Sequence, residues 1–162
     1  KAKELGMGRA IKVRASALAS DPYTDRDLVM PDVNSCTRIA VKEAYEQAGL
    51  GAEDINLVEL HDCFATAEMW HYENLGLCKD GDAGKMIDDG DVELGGRIPV
   101  NVSGGLLSKG HPLGATGIAN IYEVCTHLRG EAGKRQVDGA KIGMTHVIGL
   151  GTACAIHILE KT

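Results

Sequence analysis

Residue types that can move protons gather in two short stretches. "SKGHPLGATG" (108–117) sets His111 between Gly110 and Pro112, just ahead of a segment with helical spacing. "HDCF" (61–64) puts His61 and Cys63 two residues apart. Imidazole titrates near neutral pH, so His111 suits a general base. A helix N-terminus beside it favours the neutral ring and any developing anion. Gly110 and Gly114 let backbone approach a substrate closely. A histidine packed into a turn would satisfy the same spacing. A thiol at a strand-to-helix junction beside an imidazole can act as nucleophile or acid. The competing reading makes Cys63 a small buried apolar residue and Asp62 the cap of the helix that follows.

Other groupings carry less. "GLLSKGHP" (105–112) echoes a phosphate loop but lacks its Gly-Lys-Ser/Thr ending. His61, Cys63, His71 and Cys78 can be drawn as a zinc set, yet their spacing matches no standard site, and no metal is expected. Cys36 lies in an expected first helical turn, where packing is the ordinary role of a cysteine. His71, His127, His146 and His157 have no evident partners in the sequence.

The elements that must position these groups follow from periodicity. "AIKVRASALA" (10–19), "INLVEL" (55–60) and "IPVNV" (98–102) read as strands. Residues 21–32 read as loop, broken by Pro22 and Pro31. A helix follows, capped by Asn34 or Ser35, with Ile39, Ala40, Ala44 and Ala48 as its inner stripe and Gly49 at its end. A second helix is expected over 64–77 and a third over 117–130. Residues 78–97 and 103–117 read as polar and glycine-rich excursions. "GAKIGMTHVIG" and "TACAIHILEK" close the chain as two strands joined by a tight turn, hence antiparallel. The order βαβαβα followed by two strands predicts an α/β fold with a five-stranded mixed sheet, mostly parallel, and helices on both faces. Active groups in such sheets sit at the carboxyl ends of strands. "HDCF", "GHPLGATG" and "VIGLG" (147–151) all fall there. The third helix carries Ile118, Ile121, Val124, Cys125 and Leu128, enough apolar surface to require cover on more than one side.

Composition narrows the class. The 162 residues suit one domain spanning 1–162. An apolar share of 44% with 25% charged residues is that of a globular protein. A net charge of −6 argues against a nucleic-acid partner. No apolar run reaches the ~20 residues of a membrane span, so no membrane partner is expected. Five cysteines without a Cys-x-x-Cys pair suit a reducing compartment. The opening "KAKELGMGRA" is no secretory leader and the closing "ILEKT" matches no retention or peroxisomal address, so the cytoplasm is expected. A peroxisomal site stays open for a eukaryotic source.

"NVSGGLLSKGHPLGATG" resembles the histidine-bearing loop of the thiolases, and "HDCF" resembles their sterol carrier protein branch. The resemblance covers nearly the whole chain. It implies one βαβαβαββ half of a two-half, five-layer fold, here the C-terminal half. Thiolases make or break a carbon–carbon bond between acyl-CoA thioesters through an acylated cysteine. The resemblance implies that His111 activates that cysteine and that His61 supplies an oxyanion contact. It makes Cys63 the acid/base, because the usual C-terminal Cys-x-Gly reads Val147-Ile148-Gly149 here. Gly149 keeps a backbone N–H for a second oxyanion hole. No tightly bound cofactor is implied; coenzyme A thioesters are substrates. No residue matches the nucleophile motif of the family's N-terminal half. The chain is therefore expected to need that half, or a partner subunit, and to form a homo- or hetero-oligomer. A non-catalytic module using the apolar third helix, or a thiolase-like retro-aldolase subunit, are the alternative readings.

Overall fold

The computed structural model describes residues 2–20, 33–150 and 152–162. The expected loop over 21–32 lies outside the described residues. The chain runs α1 (Ala2–Leu5), β1 (Ile11–Ser20), α2 (Val33–Ala48), β2 (Leu57–Glu59), α3 (Ala65–Asn74), α4 (Ala83–Asp88), α5 (Gly105–Lys109), α6 (Thr116–Arg129), β3 (Ile142–Gly149) and β4 (Ala153–Lys161).

The fold is α/β; the described residues form a mixed sheet of four strands in the order β1-β4-β3-β2. Only β2 and β3 pair in parallel; β4 pairs antiparallel with both β1 and β3. The mostly parallel sheet is thus corrected. β1, β2 and β3 do run in one direction, as crossovers dictate, but β4 returns by a hairpin and inserts between β1 and β3. The fifth strand, expected over 98–102, is reduced to one parallel bridge, Val58 to Val100. Pro99 has no N–H to donate. Asn101, at φ 50°, leaves the extended region and ends the pairing.

The two faces of the sheet carry two cores. On one, Ala15, Ala17 and Ala19 of β1 and Ile156 and Ile158 of β4 meet Ala40 and Ala44 of α2, with Tyr72 and Leu75 beyond. Alternation along β1 points every second residue at this core. The inner stripe of α2 is Cys36, Ala40, Ala44 and Ala48; Ile39, placed in that stripe by the sequence, lies off it and is 45% exposed. α2 starts at Val33, so neither Asn34 nor Ser35 precedes it as a cap; Asn34 instead accepts a hydrogen bond from Asn74 at 2.7 Å. α3 stops at Asn74, three residues short of the expected end. Leu75 and Leu77 are both buried, a period of two that a helix cannot serve.

On the other face α6 lies across β3, burying Val124 and Leu128 against Leu57 and Leu159. Gly143 allows this approach, since a Cβ there would sit 2.5 Å from Val124 Cγ1. The outer side of α6 is bare: Ile118 and Tyr122 are about two-thirds exposed, at 69% and 68%. No helix among the described residues is long and apolar enough to cross a membrane.

Candidate active site

The carboxyl end of β2 and the loop before α6 meet. Side chain and backbone of residues 59–62 grip residues 101–109 at three points. The Leu60 N–H donates to Asn101 Oδ1 at 2.8 Å. Buried Glu59 accepts from the Ser103 N–H at 3.1 Å and lies 2.5 Å from the Ser103 hydroxyl. Buried Asp62 accepts from the Leu106 N–H at 2.7 Å and, more weakly, from Leu107 at 3.4 Å. Asp62 therefore serves the first turn of α5, not α3 as the sequence suggested; Phe64 occupies the N-cap position of α3. Gly105 makes room for this contact. Its φ of +58° is left-handed, and a Cβ would lie 2.0 Å from Asp62 Oδ2.

This grip brings His61 and His111 into contact. Their ring centroids are 4.8 Å apart and nearly perpendicular, at 88°. His111 Nδ1 is 2.7 Å from Thr116 Oγ1, and that hydroxyl donates to the Pro112 carbonyl at 3.3 Å. A hydroxyl has one proton. With it directed at Pro112, Thr116 accepts from His111 Nδ1–H, and Nε2 keeps a lone pair.

His61 is buried, and its Nδ1 has no hydrogen-bond partner among the described residues. A proton there would be an unpaired buried N–H, so the ring carries its proton on Nε2. Burial pushes the His61 pKa below the usual imidazole range, and neighbouring His111 pushes the same way, against the pull of Asp62. His61 is a neutral N–H donor at pH 7. Behind it, the backbone N–H of His61 donates to His146 Nδ1 at 3.4 Å, and His146 Nε2 faces Thr37 Oγ1 at 3.4 Å. The His71 ring leans on His146 with centroids 4.3 Å apart. Burial lowers the His71 pKa to about 4 and drives His146 well below the imidazole range. Both rings are buried and neutral, and His146 ties the backbone at His61.

Cys63 is half-buried between His61 and α3. Burial raises its thiol pKa, outweighing the backbone N–H groups of Phe64 and Cys63 that lower it. Gly149 ends β3 three residues beyond His146, in the hairpin beside the start of α6, where Gly117 and Val147 approach. Cys36 is packed in the core. Among the described residues no group of three or more His, Cys, Asp or Glu side chains could hold a metal.

The sequence reading missed Glu59, Thr116 and Asn101, and found no partners for His71 and His146. Glu59 had a signal, an acid inside the apolar run "INLVEL", and Thr116 stands five residues beyond His111 at the start of α6. His71 and His146 had none, because their meeting depends on how α3 packs on β3.

A family model described as thiolase C-terminal domain-like matches residues 24–161. The chain belongs to this family. Among its relatives, sterol carrier protein 2 of Rattus norvegicus is 44% identical over 153 residues, which is 93% of this chain and 28% of the rat protein. An acetyl-CoA acetyltransferase of Methanothermobacter thermautotrophicus is 47% identical over 157 residues, 93% of this chain and 40% of the archaeal one. The chain thus spans well under half the length of these curated thiolase-family relatives. A solved structure titled Ltp2-ChsH2(DUF35) aldolase superposes with a TM-score of 0.80 at 25% identity, over 93% of this chain and 39% of that one.

Proposed function

We propose that the chain is the acid/base and oxyanion half of a thiolase-type acyl-CoA acyltransferase, acting with a half or subunit that carries the nucleophilic cysteine. The observation that carries this reading is the contact of the His61 and His111 rings, which unites the two motifs at one end of the sheet. In thiolysis, His111 Nε2 takes the proton of the partner's thiol. The thiolate attacks the 3-keto carbon of a β-ketoacyl-CoA, and the C2–C3 bond breaks. The bonding pair leaves as an enolate whose oxygen is stabilised by the Nε2–H of His61. The Cys63 thiol delivers its proton to C2. Free CoA thiol then gives its proton to Cys63 and its sulfur to the acyl group. The departing thiolate recovers the proton from His111. The Gly149 N–H serves the second oxyanion. Claisen condensation is the same sequence reversed.

The test is thiolysis of a β-ketoacyl-CoA by the chain alone and with a nucleophile-bearing half. Activity is expected only in the mixture, and is lost in His111→Ala and Cys63→Ala. Thiolysis by the chain alone, or full activity in both variants, overturns the reading. The fold likeness to an aldolase favours one second reading, retro-aldol cleavage of a β-hydroxyacyl-CoA, although retained "HDCF" weighs against it. Cleavage of such a substrate without free CoA would distinguish it.

A further inference from the structure

We propose that Glu59, through Ser103 and Lys109, is a positioning device that holds the imidazole of His111 in its base-competent state. The proposal rests on the role of His111 given above but concerns residues that touch neither substrate nor thiol.

Glu59 ends β2 and is wholly buried, an expensive place for a carboxylate without partners. Its partners all come from one segment. Ser103, at the start of that segment, donates its backbone N–H to Oε1 and its hydroxyl to Oε2. Lys109, at the end, bonds the same Ser103 hydroxyl oxygen and brings Nζ within 3.7 Å of Glu59 Oε2. One buried carboxyl thus holds both ends of residues 103–109. Lys109 is two residues from His111, across Gly110 at φ 87°. Its side chain is 37% exposed and would be free to leave if nothing held it. The backbone of Glu59 is tied as well, its carbonyl accepting from Asn120 Nδ2 of α6 at 3.4 Å. The strand end that leads into "HDCF" therefore sets where the loop before His111 ends. The Nδ1 bond of His111 to Thr116 forms only if the loop delivers the ring to the start of α6.

A core role alone would make Glu59 a matter of stability. A positioning role ties it to Lys109 and to the tautomer of one ring. The experiment uses the chain labelled with ¹⁵N-histidine in complex with the nucleophile-bearing half. Glu59→Gln, Lys109→Met and the double variant are compared by long-range ¹H–¹⁵N spectra and by thiolysis. In the unaltered protein His111 gives a single Nδ1–H tautomer. Each single variant yields a mixture of tautomers and lowers kcat roughly tenfold, with KM within about twofold. The double variant is no worse than the worse single one, because the two residues act as one unit. Lys109→Met, on a half-exposed side chain, decides the matter if Glu59→Gln does not fold. An unchanged tautomer and kcat in the single variants, or additive losses in the double one, overturns the proposal. If those results appear while His111→Ala still abolishes activity, the positioning claim falls and the base role stands. If the tautomer responds but no form of the complex catalyses thiolysis, positioning stands and the functional reading falls.

Discussion

Replacing Asp62 by alanine tests whether the two motifs are held together as described. Asp62 is 2% exposed, and one oxygen receives the buried Leu106 N–H at 2.7 Å. A hydrogen bond to a charged acceptor contributes about 1.5–3 kcal/mol, and an orphaned buried donor costs a similar amount. These describe the same loss from two sides and do not add. The contact to Leu107 at 3.4 Å is too long to add much. Deleting a buried carboxylate also removes its own desolvation cost, which offsets part. The net expectation is a loss of about 1–2 kcal/mol, or about 2–8 °C in Tm for a chain of this size. Asp62→Asn keeps an acceptor for Leu106 but turns an N–H2 toward Leu107, so it should lose about half as much. Urea unfolding followed by circular dichroism reads both, with unchanged m required for a two-state comparison. A loss under about 0.5 kcal/mol in Asp62→Ala, or a larger loss in Asn than in Ala, would refute the role assigned to Asp62.

Three further outcomes follow from the same geometry. Gly105→Ala should destabilise at least as much as Asp62→Ala, and combining the two should cost less than their sum, since the clashing carboxylate is gone; denaturant midpoints check this. His71 is buried neutral with a pKa of about 4, below the ordinary imidazole value, so the unfolded chain binds the extra proton as pH falls. Stability should drop by about 2 kcal/mol between pH 7 and pH 5 from this group, and His71→Gln should flatten the slope in urea titrations at the two pH values. Thr116→Val should cut kcat for thiolysis by roughly tenfold or more while Thr116→Ser restores it; equal activity in both variants would remove Thr116 from the site.

The groups named from sequence for this site differ in how legible they were. His111 and His61 stand in motifs whose residue types announce proton chemistry, and their spacing relative to strand ends placed them at the same edge. Asp62 was read as the cap of its own helix because local sequence offers the nearest N-terminus; the observed partner is 44 residues away. Cys63 was legible as a thiol at a strand-to-helix junction, where a helix end favours the thiolate. Desolvation opposes that, and its size depends on atoms supplied by distant segments. The strand over 98–102 has suitable composition, yet a proline and a left-handed asparagine limit it to one bridge.

Local chemistry in the sequence determined the periods of α2, α6 and β1, the antiparallel closing hairpin and the proton-handling motifs. These depend on contacts within a few residues or on residue type alone. Only the tertiary structure decided that β4 inserts between β1 and β3 and that His71 and His146 lie behind His61. It also decided that Glu59 and Asp62 reach across to residues 103–107. Those outcomes rest on pairing and burial between segments tens of residues apart, where a buried charge must find its partner wherever the fold brings one.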